Sequence, residues 1–359
     1  MEPLKEMFNE GWYKNLGSRL AEVDADFNSK KFVSGCCKNI SELSLNQRLR
    51  RTSQVLRELL PASYARSVKI LREVIPQMPG GYTNLVFPDF VSLYGHSHFN
   101  LSMDSLAYFT RFGSSEFAVR EFLKNDFDNT IKVMYSWAND ENHHVRRLAS
   151  EGSRPRLPWS FKLDRVIQQP ESTRPILDAL RADPELYVRK SVANHLNDIS
   201  KFDPAYMLRL CASWPATNER TAWIIRHANR TLIKKGHEGS LAALRFEKDP
   251  LFEVKKFRLS PPVLKIGSTL SFSFEMKGLK DHGQKLAVDF KIYYQKKNGV
   301  SAKTFKLKEF VLMPGVDEKL AKKQSFTDLS TRKHRPGRHL FELQVNGRTI
   351  IKEAFTLLA

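Results

Sequence analysis

Three carboxylates and one indole stand out as groups able to do chemistry. Glu116, Glu151 and Asp198 lie in the stretches Ser114-Ser115-Glu116-Phe117-Ala118-Val119-Arg120, Leu148-Ala149-Ser150-Glu151-Gly152 and Ala193-Asn194-His195-Leu196-Asn197-Asp198. The default place for such acids is the solvated face of a helix. If they instead point inward among cations meant for a polyanion, they repel phosphate and imply a reaction that wants negative charge. Cleavage of a glycosidic bond wants it most, because its transition state puts positive charge on the sugar, and a carboxylate both stabilises that charge and orients a water. Trp159, in Arg154-Pro155-Arg156-Leu157-Pro158-Trp159, follows two prolines that stiffen its loop. Composition favours a core anchor for this tryptophan, while the stiff loop allows an exposed ring whose face holds a cation or packs on a sugar.

Other catalytic signatures are missing from the sequence, which has no Walker A loop, dinucleotide glycine fingerprint, His-Glu-x-x-His or Cys-x-x-Cys. His143 and His144 are adjacent and cannot share one helix face, so they read as a surface pair at a helix start. Gly80-Gly81-Tyr82 and His96-Ser97-His98 read as loops. Cys36, Cys37 and Cys211 are odd in number and two are neighbours, which suits buried reduced thiols better than disulfides or a metal site. No cofactor is implied.

The elements that must position the acids are helical. Up to about residue 252 apolar residues return at three- and four-residue steps: Leu45, Leu49, Leu56 and Leu59 mark one helix face, and Val68, Leu71, Val74 and Ile75 another. Pro61 and Pro76 stop those helices, and Ser172-Thr173-Arg174-Pro175 reads as a cap opening a third. No strand is expected before residue 250. A weak repeat places an apolar-Arg pair near a helix start at Val145-Arg146, Val188-Arg189 and Ile225-Arg226, spaced by 43 and 37 residues, with a diverged copy at Val119-Arg120. That spacing is close to helix-pair solenoids of the HEAT kind, whose concave face would then carry a row of arginines.

Past Asp249-Pro250 the period becomes two. Leu270, Phe272, Phe274 and Met276 alternate with polar residues, as do Val288, Phe290, Ile292 and Tyr294, and then Phe341, Leu343 and Val345 before a tight Asn346-Gly347 hairpin. The expected architecture is mainly α: a HEAT-like α-solenoid over residues 1–252, followed by a small all-β, immunoglobulin-like sandwich over 253–359 without an inter-sheet disulfide.

The chain of 359 residues carries 58 basic and 39 acidic side chains, net +19, which points to a polyanionic partner. Residues 251–359 hold 22 of the basic and 10 of the acidic groups, net +12, against +7 for the first 250. The densest cluster, Arg332, Lys333, His334, Arg335 and Arg338, precedes a strand and reads as a loop displaying cations, either for phosphate contact or for solubility. No apolar run is long enough to span a bilayer and the first residues lack a signal-peptide order, so a cytoplasmic protein without membrane attachment is expected.

The helical part resembles the AlkC branch of the AlkC/AlkD bacterial DNA alkylation-repair glycosylases. The likeness rests on the opening Glu2-Pro3-Leu4-Lys5, on Phe87-Pro88-Asp89-Phe90-Val91, on the Glu116 stretch, on the run from Val145 through Glu151 and Arg154 to Trp159, and on that from Val188 to Ser200. Some members carry a C-terminal immunoglobulin-like domain. The resemblance implies hydrolysis of the N-glycosidic bond of cationic alkylated bases, chiefly 3-methyladenine, in double-stranded DNA, on a lesion that is not flipped out; a solenoid that wraps DNA is most simply a monomer. The resemblance also assigns Glu116, Glu151, Trp159 and Asp198 to the site, with Glu151 first choice to orient the water. Arg147, Arg154 and Arg189 are candidates for DNA-backbone contact, joined by Arg156, Lys190, Arg226, Arg332, Lys333, Arg335 and Arg338. The rival is a non-enzymatic helical-repeat scaffold for RNA or an acidic protein, which gives the three acids no role.

Overall fold

The computed structural model of the chain describes residues 3–329 and 332–359; Glu2 of the opening motif lies outside them. Two compact units form: Met1–Asp203 with Trp214–His227, and Pro204–Ser213 with Ala228–Ala359. No helix among the described residues is long and apolar enough to cross a membrane.

The first unit is built of short α-helices and 3-10 turns, and no strand occurs among the described residues before Phe252. Helix Leu45–Leu59 opens on a capping box made by Ser44 and Gln47 and ends ahead of Pro61. Its buried face differs from the leucine stripe: Arg48, Thr52, Ser53, Val55 and Leu56 are buried, while Leu45, Leu49 and Leu59 are half-buried. Arg48 explains the shift, since its guanidinium donates to the carbonyls of Lys5 (2.8 Å) and Phe8 (2.9 Å) and so needs a polar stretch of the interface.

Three helices frame the acids: Glu116–Asn125, His143–Gly152 and Leu186–Ile199. Val119, Leu148, Val188, Val192 and Leu196 are fully buried between them and their neighbours. Gly152 permits a close approach, because a Cβ there would come within 2.5 Å of Val119 Cγ1. His195 is fully buried, with Nδ1 3.0 Å from the Ser150 carbonyl and Nε2 3.2 Å from Thr173 Oγ1. Thr173 precedes helix Arg174–Leu180 as expected, but its hydroxyl faces Pro170 and His195 and makes no cap. The repeat also holds only in part. Val145 and Val188 are third in their helices, whereas Ile225 is seventh in Glu219–Ala228, so Arg226 sits near a helix end rather than a start.

Among the described residues of the second unit, eight strands pair as two sheets. One has the order β1 (Phe252–Ser260), β3 (Thr269–Gly278), β6 (Asp317–Ser325); the other runs β2 (Val263–Lys265), β8 (Arg348–Leu358), β7 (Gly337–Val345), β4 (Gln284–Lys296), β5 (Gly299–Leu312). The alternating residues of β3, β4 and β7 form one core, including Phe272, Phe290 and Phe341. Asn346 (φ 48°) and Gly347 (φ 77°) make the hairpin turn with both residues left-handed. Helices Arg230–Lys234 and Glu238–Ala243 belong to this unit, where Ile233 and Phe246 pack on Ala287 of β4.

Candidate active site

Glu151 lies in the last turn of its helix and is 6% exposed. One carboxylate oxygen accepts from Arg154 Nη1 (2.7 Å), with Arg147 Nη2 at 3.4 Å, and the other from Ser191 Oγ (2.6 Å). Asp198, 2% exposed, accepts from Arg154 Nε (2.8 Å) and Nη2 (2.7 Å), while Lys201 Nζ takes its second oxygen (2.8 Å). Arg154 is therefore a buried fork between two acids 47 residues apart in sequence. Glu116 opens its helix, where negative charge suits the dipole, and is held by Ser114 Oγ (2.8 Å) and by Arg147. Arg147 thus bridges Glu116 and Glu151, and lies over the Tyr187 ring at 5.1 Å.

Burial alone would raise the Glu151 carboxyl, but Arg147 and Arg154 with the Ser191 hydrogen bond outweigh it and hold the group below the usual carboxylate range. Glu151 is accordingly ionised at neutral pH and cannot serve as a proton donor. Burial pushes His195 down to about 4, so it is neutral and structural.

Trp159 is the opposite of a core anchor. It is 77% exposed and has φ 65°, with Leu157 (4% exposed) taking the core position two residues earlier. The turn carrying it is clamped from beneath by fully buried Arg120, which donates to the carbonyls of Gly152 (2.9 Å), Arg154 (2.6 Å) and Phe161. A cleft of about 500 Å³ opens beside the indole, and its lining includes Glu116, Glu151, Arg154, Tyr82, Phe117 and Trp159. Glu116, Glu151 and Trp159 are thus brought together. Asp198 does not line this cleft; it stands behind Arg154 and fixes that guanidinium.

The expected arginine row has other employment. Arg120, Arg147 and Arg154 hold carbonyls or acids, Arg146 pairs with Asp183 (2.7 Å), and Arg189 donates to the carbonyls of Asp183 (2.8 Å) and Pro184 (2.7 Å). Buried carboxylates and carbonyls consume these guanidinium groups, because neither could be buried without them. Arg156, Lys190 and Arg226 are exposed. In the 332–338 segment Lys333, Arg335 and Arg338 are exposed, with Lys333 Nζ 3.6 Å from Asp328; Arg332 lies half-buried over the Tyr294 ring (5.9 Å), and His334 is buried. That segment therefore displays three cations to solvent rather than four. Reading the sequence missed Arg120, Ser191, Tyr187 and Tyr82. Arg120 left a signal as the arginine of the diverged repeat copy, Ser191 lies within the Val188–Ser200 motif without being singled out there, and Gly81-Tyr82, read as a mere loop, lines the cleft.

Carboxylates locked by guanidinium groups beside an exposed indole, on stacked helices followed in sequence by an immunoglobulin-like sandwich, suit a helical-repeat enzyme better than a bare scaffold. Residues 109–232 match the family described as DNA alkylation repair enzyme, and residues 253–359 match the C-terminal Ig-like domain of the uncharacterised protein YhaZ. The chain is similar to the alkylpurine DNA glycosylase AlkC of Pseudomonas fluorescens, solved bound to DNA containing an abasic site analogue, with 42% identity, a TM-score of 0.96 and 100% of both chains covered. It is also 39% identical to YhaZ of Bacillus subtilis (strain 168), over 97% of each chain. The chain belongs to the AlkC branch of the DNA alkylation repair enzymes.

Proposed function

We propose that the protein hydrolyses the N-glycosidic bond of cationic alkylated bases, chiefly 3-methyladenine, in double-stranded DNA, acting as a monomer and without flipping the lesion into a pocket. The observation that carries this reading is the pair Glu116 and Glu151 in one cleft with exposed Trp159. A base already positive needs no proton to leave: the C1′–N electron pair goes to the ring and neutralises it, leaving the sugar as an oxocarbenium ion. An ionised Glu151 that cannot donate a proton suits such a leaving group and no neutral one. Glu151 and Glu116 stabilise the positive sugar, a water oriented by Glu151 adds to C1′, and its proton passes to that carboxylate and then to solvent. The face of Trp159 attracts the cationic ring or packs on the sugar. Asp198 acts as a positioning residue through Arg154. Arg156, Lys190, Arg226 and the exposed Lys333, Arg335 and Arg338 are the cations assigned to phosphates.

The test is incubation of the purified full chain with methylated duplex DNA, in buffer without added nucleotide or metal, followed by quantitation of free base. Release of 3-methyladenine with hypoxanthine and uracil duplexes left intact is expected. Efficient uracil release contradicts the mechanism, and no release from methylated DNA removes the activity.

A further inference from the structure

The two guanidinium groups beside the acids are held in different ways. Arg154 is wedged between buried Glu151 and buried Asp198, which take both its edges. Arg147 instead meets Glu116, whose side chain is 15% exposed, with Ser114 Oγ at 2.9 Å and Glu151 more loosely at 3.4 Å. A cation placed this way has a rival partner. Duplex DNA entering the cleft brings phosphates, and a phosphate competes with a partly solvated carboxylate for a planar guanidinium.

What opposes that exchange is the ring of Tyr187. The Arg147 guanidinium carbon stands 5.1 Å from the ring centroid, so one face of the cation is covered while its edges meet the acids. Tyr187 is second in helix Leu186–Ile199 and 44% exposed, so it is no core anchor. Its hydroxyl has no hydrogen bond among the described residues, which leaves the ring face as its contribution. His144 and His143 stand edge-on to the ring, with centroids 5.8 and 6.5 Å away at 69° and 82°. They precede Arg147 by three and four residues in its own helix, so each is within a turn of it. Burial, together with His143 and Arg147, holds the His144 imidazole below its ordinary value. At neutral pH it therefore buttresses the tyrosine without bringing a second cation to its face.

We propose that Tyr187 is a positioning residue of the cleft, whose ring holds Arg147 on Glu116 and Glu151 and so withholds that cation from the DNA backbone. The consequence for excision rests on the glycosylase reading; the consequence for DNA binding does not. Without the ring, the guanidinium is able to turn to a phosphate. Glu116 is then left with Ser114 alone, while Glu151 keeps Arg154 and Ser191. Water takes the place of the guanidinium beside the acids, so they gain solvent screening rather than usable charge, and the fixed geometry that stabilises an oxocarbenium ion is lost.

The experiment compares the full chain with Tyr187→Ala, with Tyr187→Leu, which keeps apolar bulk without the ring, and with Tyr187→Phe, which keeps the ring without the hydroxyl. A thermal melt of each variant checks its fold. Affinity for an undamaged duplex is measured over a range of salt, and release of 3-methyladenine is followed with enzyme in excess over methylated duplex. The Ala and Leu variants should bind the undamaged duplex more tightly at low salt, with a slope of log affinity against log salt steeper by about 0.9 for the one phosphate gained. Their excision should fall about tenfold as the acids lose their fixed placement. Tyr187→Phe should restore both readouts. Arg147→Gln should keep the parental slope by itself and, added to Tyr187→Ala, should remove the extra slope. A parental slope in the Ala and Leu variants, an extra slope that survives Arg147→Gln, unchanged excision, or a Phe variant that behaves like Ala overturns the assignment. A parent that releases no base while its variants still show the steeper slope overturns the glycosylase reading instead and leaves the hold on Arg147 standing.

Discussion

Replacing Glu151 with Gln removes one negative charge from the cleft at nearly constant shape. The fold should tolerate the change because no guanidinium is stranded: Arg154 keeps Asp198 at 2.7 and 2.8 Å, and Arg147 keeps Glu116. The Gln amide can still meet Ser191, so the loss is confined to charge-assisted hydrogen bonds, about 1–3 kcal/mol. The kinetic effect is larger. A carboxylate about 4–5 Å from the anomeric carbon, at an effective dielectric of about 20, stabilises a unit positive charge by roughly 3–4 kcal/mol. Arg147 and Arg154 offset part of this, which puts the lower bound near 2 kcal/mol. At 1.36 kcal/mol per factor of ten, turnover should fall roughly 30- to 1,000-fold. Binding to DNA should be unchanged or tighter, since a charge that repels phosphate is gone. The assay is release of 3-methyladenine with enzyme in excess over methylated duplex, with a thermal melt of each variant as control. A folded Glu151→Gln protein releasing base at the parental rate would refute the electrostatic role and leave Glu151 as a mere partner of Arg154.

His195 is neutral in the fold because burial lowers it to about 4 from an unfolded value near 6.5, so the stability it confers is complete above pH 6.5 and is lost as pH falls towards 4. Urea unfolding of the parent at pH 7, 6 and 5 should lose up to about 1.4 kcal/mol per pH unit in that window, and His195→Gln should flatten the slope; equal slopes would show that His195 does not govern it. Trp159→Gly removes an exposed side chain from a left-handed residue, so stability should stay within about 0.5 kcal/mol while single-turnover excision drops roughly 2- to 30-fold, the worth of one cation–π contact. Changing Lys333, Arg335 and Arg338 together to Ala should leave the melting temperature unchanged, weaken DNA binding, and make the slope of log affinity against log salt shallower by about 0.9 for each phosphate no longer neutralised. A parental slope in that variant would make the loop's charge a solubility feature.

The sequence alone determined what depends on a local period. The alternation of Leu270 to Met276 needs only the strand repeat to place those side chains in a core, and Asn346-Gly347 needs only its tolerance of positive φ to turn the chain. The presence of Glu116, Glu151, Asp198 and Trp159 in one distinctive set of motifs was likewise legible. Their geometry was not. That Arg154 reaches Asp198 across 44 residues, and that Arg120 clamps the turn leading to Trp159 across 32 to 41, are long-range contacts, and periodicity reports which face a residue shares with its own helix, never which partner faces it. Composition by itself favours a core for the indole, but Leu157 fills that space and a left-handed residue turns Trp159 to solvent, as the stiff loop and the family motif allow. The same gap gave the arginines to DNA, when several of them neutralise acids or cap carbonyls that would be too costly to bury alone. Only the folded chain decides which carboxylate a cation reaches first.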